Sequence, residues 1–529
     1  MRLQLEPAPG AALFGAEDEA IDRAIDAPRY NRDSAYNHPG FAPVREEHRH
    51  VPVRISGRLP ADLRGVYVRN GTNVQFDHVH TRAHCFNGAG MLHQVQIGDG
   101  AATYSNTYIR TPRFEYERLA GREVFPSYAD MSSSGEAGLQ RLRLLAKKQA
   151  AGVAPRWSAL EANPASTSVQ YHHGKLYCLQ GSGLPFALDA SFEGGRLVLD
   201  GSGELQDWDG GLRVPFSAHP RIDPVNGDFY NVSVDNRGRS IWMAQVHAGA
   251  LVNCLKVDEV PPGESLPGTI HDYFLTENFL VIPDVSLRFA EDNLQRTGTS
   301  FWRFDATRPM RWGVLPRNAK AGDRIRWIST AKPGMVWHVV NAWEEAGPDG
   351  RPRIVLYAPV FDDYPANVPI HTPEEPPARL TKWVLDAESG TLLEEKRLLE
   401  HGYERPSLNL SLVGRRNRYA YLLDEEADGY MGKGVLKYDL LGEREVAYFS
   451  YGEFHGGEAL FVPREGAAGE DDGYLLDLLM AGERAELLVL DAATLTEVCR
   501  LHLPARVPFG VHACWLDAAK LTAMARAGQ

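Results

Sequence analysis

Short apolar runs punctuated by Asp, Asn and Gly recur along this chain: DPVNGDFY at 223–230, DAESGTLLEEKRL at 386–398, YDLLGEREVAYF at 438–449 and LLVLDAATLTEVCRL at 487–501. Asp or Asn with Gly between strand-forming runs signals a β-hairpin, because these residues tolerate the left-handed backbone that a tight turn requires. Their recurrence predicts a series of small antiparallel sheets. Radial repetition of such sheets, a β-propeller, leaves few exposed strand edges. Fifty Gly, 34 Pro, 20 Phe, 21 Tyr and 10 Trp agree with many short strands joined by turns. The repeat is too degenerate to give a blade number.

The first fifty residues are charged, contain Pro and are weakly periodic, so they read as an arm, with residues 51–529 as a single propeller domain bearing cap insertions. One segment breaks the β pattern. Residues 135–151 place Leu139, Leu142, Leu145 and Ala146 at helical spacing among Arg141, Arg143, Lys147 and Lys148, which predicts a basic amphipathic helix. Such a helix either packs on the propeller or lies in a membrane interface, where its cations meet anionic lipid. A net charge of −13 argues against nucleic acid, whose binding rests on clustered cations. No apolar run reaches the roughly 20 residues that span a bilayer, and the N-terminal stretch lacks a signal-peptide pattern. The expectation is a cytoplasmic, soluble protein with peripheral membrane contact through residues 135–151 as an option. Cys85, Cys178, Cys254, Cys499 and Cys514 are odd in number and scattered, which fits buried hydrophobes better than a disulfide framework.

Eighteen histidines are present, and four of them sit inside apolar, strand-like stretches: His219 (PFSAHPRID), His271 (GTIHDYFLT), His338 (MVWHVVNAWEE) and His512 (VPFGVHACW). A buried imidazole needs a partner, and a fold that gathered these four would offer an all-imidazole site suited to iron, copper, zinc or nickel. Their spacings of 52, 67 and 174 residues match no local metal motif. Taken alone, each reads more readily as a hydrogen-bonded core histidine than as a metal ligand. His172 and His173 (YHHGK) fall at a Gly turn and are expected in solvent.

The segments RGVYVRNGTN, HCFNGAGMLH, TYSNTYIRTPRF, FSAHPRIDPVNGDFY, TIHDYFLTENFLVI, RWGVLPR, WHVVNAWEE, HGGEALFVPRE, EDDGYLL and LPARVPFGVHACW together resemble the carotenoid cleavage oxygenase family, in order and from about residue 50 to 516. The resemblance implies a seven-bladed β-propeller, all-β apart from a helical and loop cap, whose axis carries Fe(II) on His219, His271, His338 and His512. It implies that Glu404 and Glu458 stand behind two of these histidines, since metal-bound imidazoles usually give their second N–H to a carboxylate or carbonyl. A third acid of the family is missing: LYCLQGSGLPF puts Gly181 where the carboxylate is expected, which leaves His271 without a charged partner. The implied reaction is dioxygenase cleavage of an electron-rich C=C bond by O2, giving two carbonyl products. A hydrophobic carotenoid or apocarotenoid is the expected substrate. Phe86 and Tyr128 match residues that contact the aromatic end in the lignostilbene-cleaving branch, but Gln180 stands where that branch has Lys. Cleavage of stilbenes or phenylpropenes is therefore the second reading, and an iron-free binding scaffold the third.

Overall fold

A computed structural model describes residues 15–26, 42–76, 86, 88–126, 135–235, 239–260, 266–267, 270–289, 302–364, 376–426, 431–510 and 512–527. Seven antiparallel sheets of four or five strands follow one another along the chain and form the seven blades of a propeller. Blade 1 is built on Gly65–Asn73, blade 2 on Ser168–His172, blade 3 on Arg221–Ile222, blade 4 on Phe274–Leu275, blade 5 on Asn341–Ala346, blade 6 on Tyr403–Ser407 and blade 7 on Leu460–Pro463. Each of blades 2 to 6 then adds its strands outward in chain order, and blade 7 does so through Glu497–His502.

The turn chemistry falls where it was expected. The four segments, all with Asp and three of them with Gly, link neighbouring strands of blades 3, 5, 6 and 7. Gly227 and Gly390 adopt φ of 75° and 73°, the left-handed region that a Cβ disfavours.

Two chain segments clasp the ring. Ala513–Leu516 pairs with Gly65–Asn73 as the innermost strand of blade 1, while Arg54–Gly57 adds to the outer edge of blade 7 beside Glu497–His502. Residues from opposite ends of the sequence thus share two blades, and the closed ring removes the free edges that an open row of sheets would expose.

The core lies between the blades. Leu460, Leu476 and Leu487 of blade 7 pack on Tyr67, Val95 and Tyr104 of blade 1, and Phe274, Val281 and Trp312 of blade 4 pack on Ala342, Ile354 and Trp383 of blade 5. A blade is covered on both faces, so strand Gly65–Asn73 is buried throughout and shows no alternation. The outermost strand of blade 6, Arg444–Ser450, is largely exposed and alternates. This is why the two-residue period, the ordinary mark of a strand, is faint in the inner strands.

The helix predicted at 135–151 spans Gly135–Ala150. Its buried leucine is Leu144, which meets Ile21, while Ala146, placed on the apolar stripe by spacing, is exposed. Leu145 packs against the aromatic group of Tyr116, Phe125 and Trp157. An acidic helix, Ala16–Asp26, lies alongside, with Asp18 bonded to Lys148 and Glu17 3.9 Å from Lys147. Among the described residues no helix is long and apolar enough to cross a membrane.

Candidate metal centre

The four histidines precede four innermost strands. His219 lies just before Arg221–Ile222 of blade 3, His271 before Phe274–Leu275 of blade 4, His338 before Asn341–Ala346 of blade 5, and His512 before Ala513–Leu516 of blade 1. Equivalent positions on blades arranged about one axis point to one place, so residues hundreds of positions apart converge. Ring centroids are 4.6 Å apart for His219 and His271, 4.9 Å for His219 and His338, 5.0 Å for His271 and His338, 4.4 Å for His219 and His512, and 5.1 Å for His338 and His512. Ligand atoms of His219, His271 and His338 lie within 4.8 Å of one another, with Nε2 of His271 and Nε2 of His338 at 3.3 Å.

Blades 6 and 7 supply the carboxylates. Glu404 accepts from His338 Nδ1 at 2.5 Å and from the His338 backbone N–H at 3.2 Å. A register shift between Glu404 and Ser407, with Arg405 at a φ of 42°, interrupts pairing with the neighbouring strand immediately after Glu404. Glu458, just before Leu460–Pro463, accepts from His512 Nδ1 at 2.6 Å. With Nδ1–H donated to a carboxylate, each ring keeps its Nε2 lone pair for a cation.

Blade 2 is the exception. A Cβ built on Gly181 would meet only the Ala218 backbone nitrogen, at 3.8 Å, so the place of the missing acid is open. Among the described residues no carboxylate stands at His271 Nδ1, and nothing of that kind fixes which nitrogen carries its proton.

The electrostatics favour neutral rings. Burial pushes His219 well below the ordinary imidazole value, helped by His512, His271 and His338; burial, then His338 and His512, do the same to His271. His512 is lowered by burial, with Glu458 pulling the other way. For Glu404, burial works to raise the carboxyl, but His338 and Arg405 more than offset it and hold it below the usual range. Neutral imidazoles backed by ionised carboxylates are the protonation states that metal ligation requires. His219 Nε2 is buried without a hydrogen-bond partner, the kind of orphaned acceptor that a cation satisfies.

Ser217, Arg221 and Asp272 escaped the sequence reading. The Ser217 hydroxyl donates to the His271 carbonyl at 3.1 Å and accepts from the His219 N–H at 3.0 Å. The Arg221 guanidinium pairs with the buried Asp272 carboxylate and donates to the Tyr273 carbonyl at 2.7 Å, and Asp272 accepts from the Val339 N–H at 3.0 Å. A signal was available, since each lies within two residues of a histidine in an otherwise apolar stretch.

Other expectations land elsewhere. His172 is buried rather than solvated, with Nε2 3.0 Å from the Gly227 carbonyl and its ring stacked on Phe229. Cys178, Cys499 and Cys514 are buried, and Cys254 is half-buried. Gln180 follows strand Lys175–Leu179, and its Oε1 accepts from the Ser182 hydroxyl at 2.6 Å. Phe86 is half-buried, whereas Tyr128 and Cys85 lie outside the described residues.

The family model described as retinal pigment epithelial membrane protein matches residues 41–517. The chain belongs to this family, the carotenoid cleavage oxygenases. Carotenoid 9,10(9',10')-cleavage dioxygenase 1 of Arabidopsis thaliana is 30% identical over 503 residues, covering 91% of this chain and 89% of the relative. The Crocus sativus carotenoid 9,10(9',10')-cleavage dioxygenase is 29% identical, covering 98% and 96%. Among solved structures, the Pseudomonas brassicacearum lignostilbene dioxygenase superposes with a TM-score of 0.75 at 23% identity, covering 92% of this chain and 99% of that one. A variant of the Synechocystis apocarotenoid oxygenase gives 0.73 at 23% identity, covering 91% and 98%. This carotenoid cleavage oxygenase family member therefore shares its propeller with both of those structures.

Proposed function

We propose that this chain is a non-haem Fe(II) dioxygenase that uses O2 to cleave one C=C bond of a carotenoid or apocarotenoid into two carbonyl products, with residues 51–529 as its catalytic domain. The observation that carries the reading is the convergence of His219, His271, His338 and His512 on one point of the propeller axis. The donor set fits the ion: four imidazoles suit iron, and the orphaned Nε2 of His219 is left for a cation. Bound Fe(II) would supply O2 activation beside the alkene. The protein's part is positional. Glu404 and Glu458 hold the proton on Nδ1 of His338 and His512, so that both Nε2 atoms stay basic and correctly turned. Trp337, edge-on to His271 at 5.1 Å, walls the ring on one side. Holding one double bond in place beside the ligand cluster supplies the orientation on which selective cleavage depends.

Carotenoid-type substrates are favoured by the 30% identity to a carotenoid-cleaving relative over 91% of this chain. Gln180 supports the same choice: a neutral amide, with its Oε1 engaged by the Ser182 hydroxyl, stands at the position where a phenolate would call for a cation. Peripheral membrane contact through residues 135–151 is part of the proposal, as a route for a lipid-soluble substrate. The test is anaerobic loading with Fe(II), followed by β-carotene, an apocarotenal or isoeugenol under 18O2. Two carbonyl fragments, each carrying one 18O, are expected from a carotenoid or apocarotenoid. An aromatic aldehyde from isoeugenol alone would move the assignment to phenylpropenes. Less than about a tenth of an iron per chain after loading would leave only a binding scaffold.

A further inference from the structure

We infer that the buried Arg221–Asp272 ion pair, with Ser217, is a positioning device that sets the separation of the His219, His271 and His338 imidazoles; the inference rests on the metal-centre reading above. Three blades contribute one ligand segment each, and these residues join the segments to one another rather than to the body of the protein. Blade 3 is tied to blade 4 twice. Ser217 bridges the His219 N–H and the His271 carbonyl, and Arg221 spans the Asp272 carboxylate and the Tyr273 carbonyl. Blade 4 is tied to blade 5 by Asp272, which accepts the Val339 N–H at 3.0 Å, one residue beyond His338.

Every tie falls within two residues of a histidine, so a shift in any of them reaches an imidazole through one or two backbone units. Asp272 has a 3% exposed side chain and is fully used, accepting from Arg221, Val339 and Tyr273. A buried carboxylate so committed needs its cation in place. Arg221 suits this role because its planar fork can serve a carboxylate and a carbonyl together, which a Lys ammonium does less specifically.

The need is greatest at His271. Glu404 and Glu458 grip the rings of His338 and His512, whereas among the described residues His271 has no carboxylate behind it and Gly181 offers no side chain to supply one. With no such support for the ring, the backbone on either side of His271 carries the placement.

The test uses full-length Asp272→Asn and Arg221→Lys, with Asp284→Asn as a control that breaks a buried ion network elsewhere. Co(II) and Fe(II) affinities are measured by titration, and the visible d–d bands of the Co(II) protein report ligand geometry. We expect Asp272→Asn to lose about 10-fold to 100-fold in affinity for both metals, the range seen when groups behind metal ligands are removed, with displaced Co(II) bands. Arg221→Lys should fall between it and the parent. Asp284→Asn should be destabilised yet bind metal as the parent does. Affinities within about twofold of the parent and unchanged bands in both site variants would overturn the inference. If Asp272→Asn does not fold, Arg221→Lys decides on the same criteria.

Crystal structures of the parent and the variants without metal form an independent arm. Separation of the His271 and His338 Nε2 atoms well beyond 3.3 Å in a variant supports the brace, and an unchanged cluster refutes it. A parent that binds neither metal would sink the metal-centre reading, while this arm still decides whether the pair spaces the imidazoles.

Discussion

Glu404 and Gly181 are opposite cases of one requirement, that a ligating imidazole be held by something behind it. Replacing Glu404 with Gln removes the charge on His338 Nδ1 while keeping the shape, and Fe(II) affinity should fall about 10-fold to 100-fold in an anaerobic titration. Gly181→Glu is the reciprocal change. The space beside Gly181 is open and its backbone is not in the left-handed region, so the side chain should fit and raise Fe(II) affinity by about 10-fold if it reaches His271. An unchanged affinity would mean that the ring is already held by other means. At this scale the sequence was legible in part. Each histidine stood out by its apolar surroundings, but four among eighteen could not be chosen by spacing, because the separation between ligands reflects how many blades lie between them and how long their loops are. Only the ordered family segments selected them. Ser217, Arg221 and Asp272 were missed because a polar or charged residue beside a histidine is ordinary until the fold shows where it points.

At the scale of elements, turn chemistry was the most readable signal, since Asp, Asn and Gly act through local backbone preferences that tertiary packing does not override. Blade number was hidden for the opposite reason: inner strands buried on both faces lose the alternation that would have marked them. The helix at Gly135–Ala150 was placed correctly, but its apolar face was turned toward Ala146 rather than Leu144, because the sequence could not show that the helix Ala16–Asp26 would cover it. That cover has a measurable effect. Asp18 and Lys148 are both mostly buried where they meet. Asp18→Asn should remove one carboxylate from beside the ammonium and raise binding to phosphatidylserine vesicles about fivefold at low salt, from roughly 1 kcal/mol per unit charge near an anionic surface. Co-sedimentation checks this, and no change would argue that the helix faces protein rather than lipid.

For the molecule as a whole, Asp284 is expected to contribute to acid sensitivity. It ends a strand of blade 4 and gathers Arg288, Arg308 and Arg311, the first of these in a small three-stranded sheet outside the blades. Burial alone would raise its carboxyl, but the three guanidiniums more than offset this and hold it below the ordinary value. A depressed carboxyl stabilises the fold above its unfolded pKa of about 3.9, and the contribution is lost as pH falls from there through the folded value. Denaturant midpoints should therefore drop more steeply below about pH 4 in the parent than in Asp284→Asn, while at pH 7 the variant should be about 3–5 kcal/mol less stable. Equal slopes would show that the cluster is too solvated to matter.

The ring clasp bears on how this protein is made. His512 immediately precedes Ala513–Leu516, the strand that completes the inner edge of blade 1. A nascent chain can shape its middle blades as they leave the ribosome, but blade 1 waits for a strand synthesised near the end of the described sequence. The fourth imidazole arrives in that same stretch. Translation halted before it can neither shut the propeller nor bring in the fourth imidazole, so on the proposed reading topology keeps a truncated product from displaying a finished metal site.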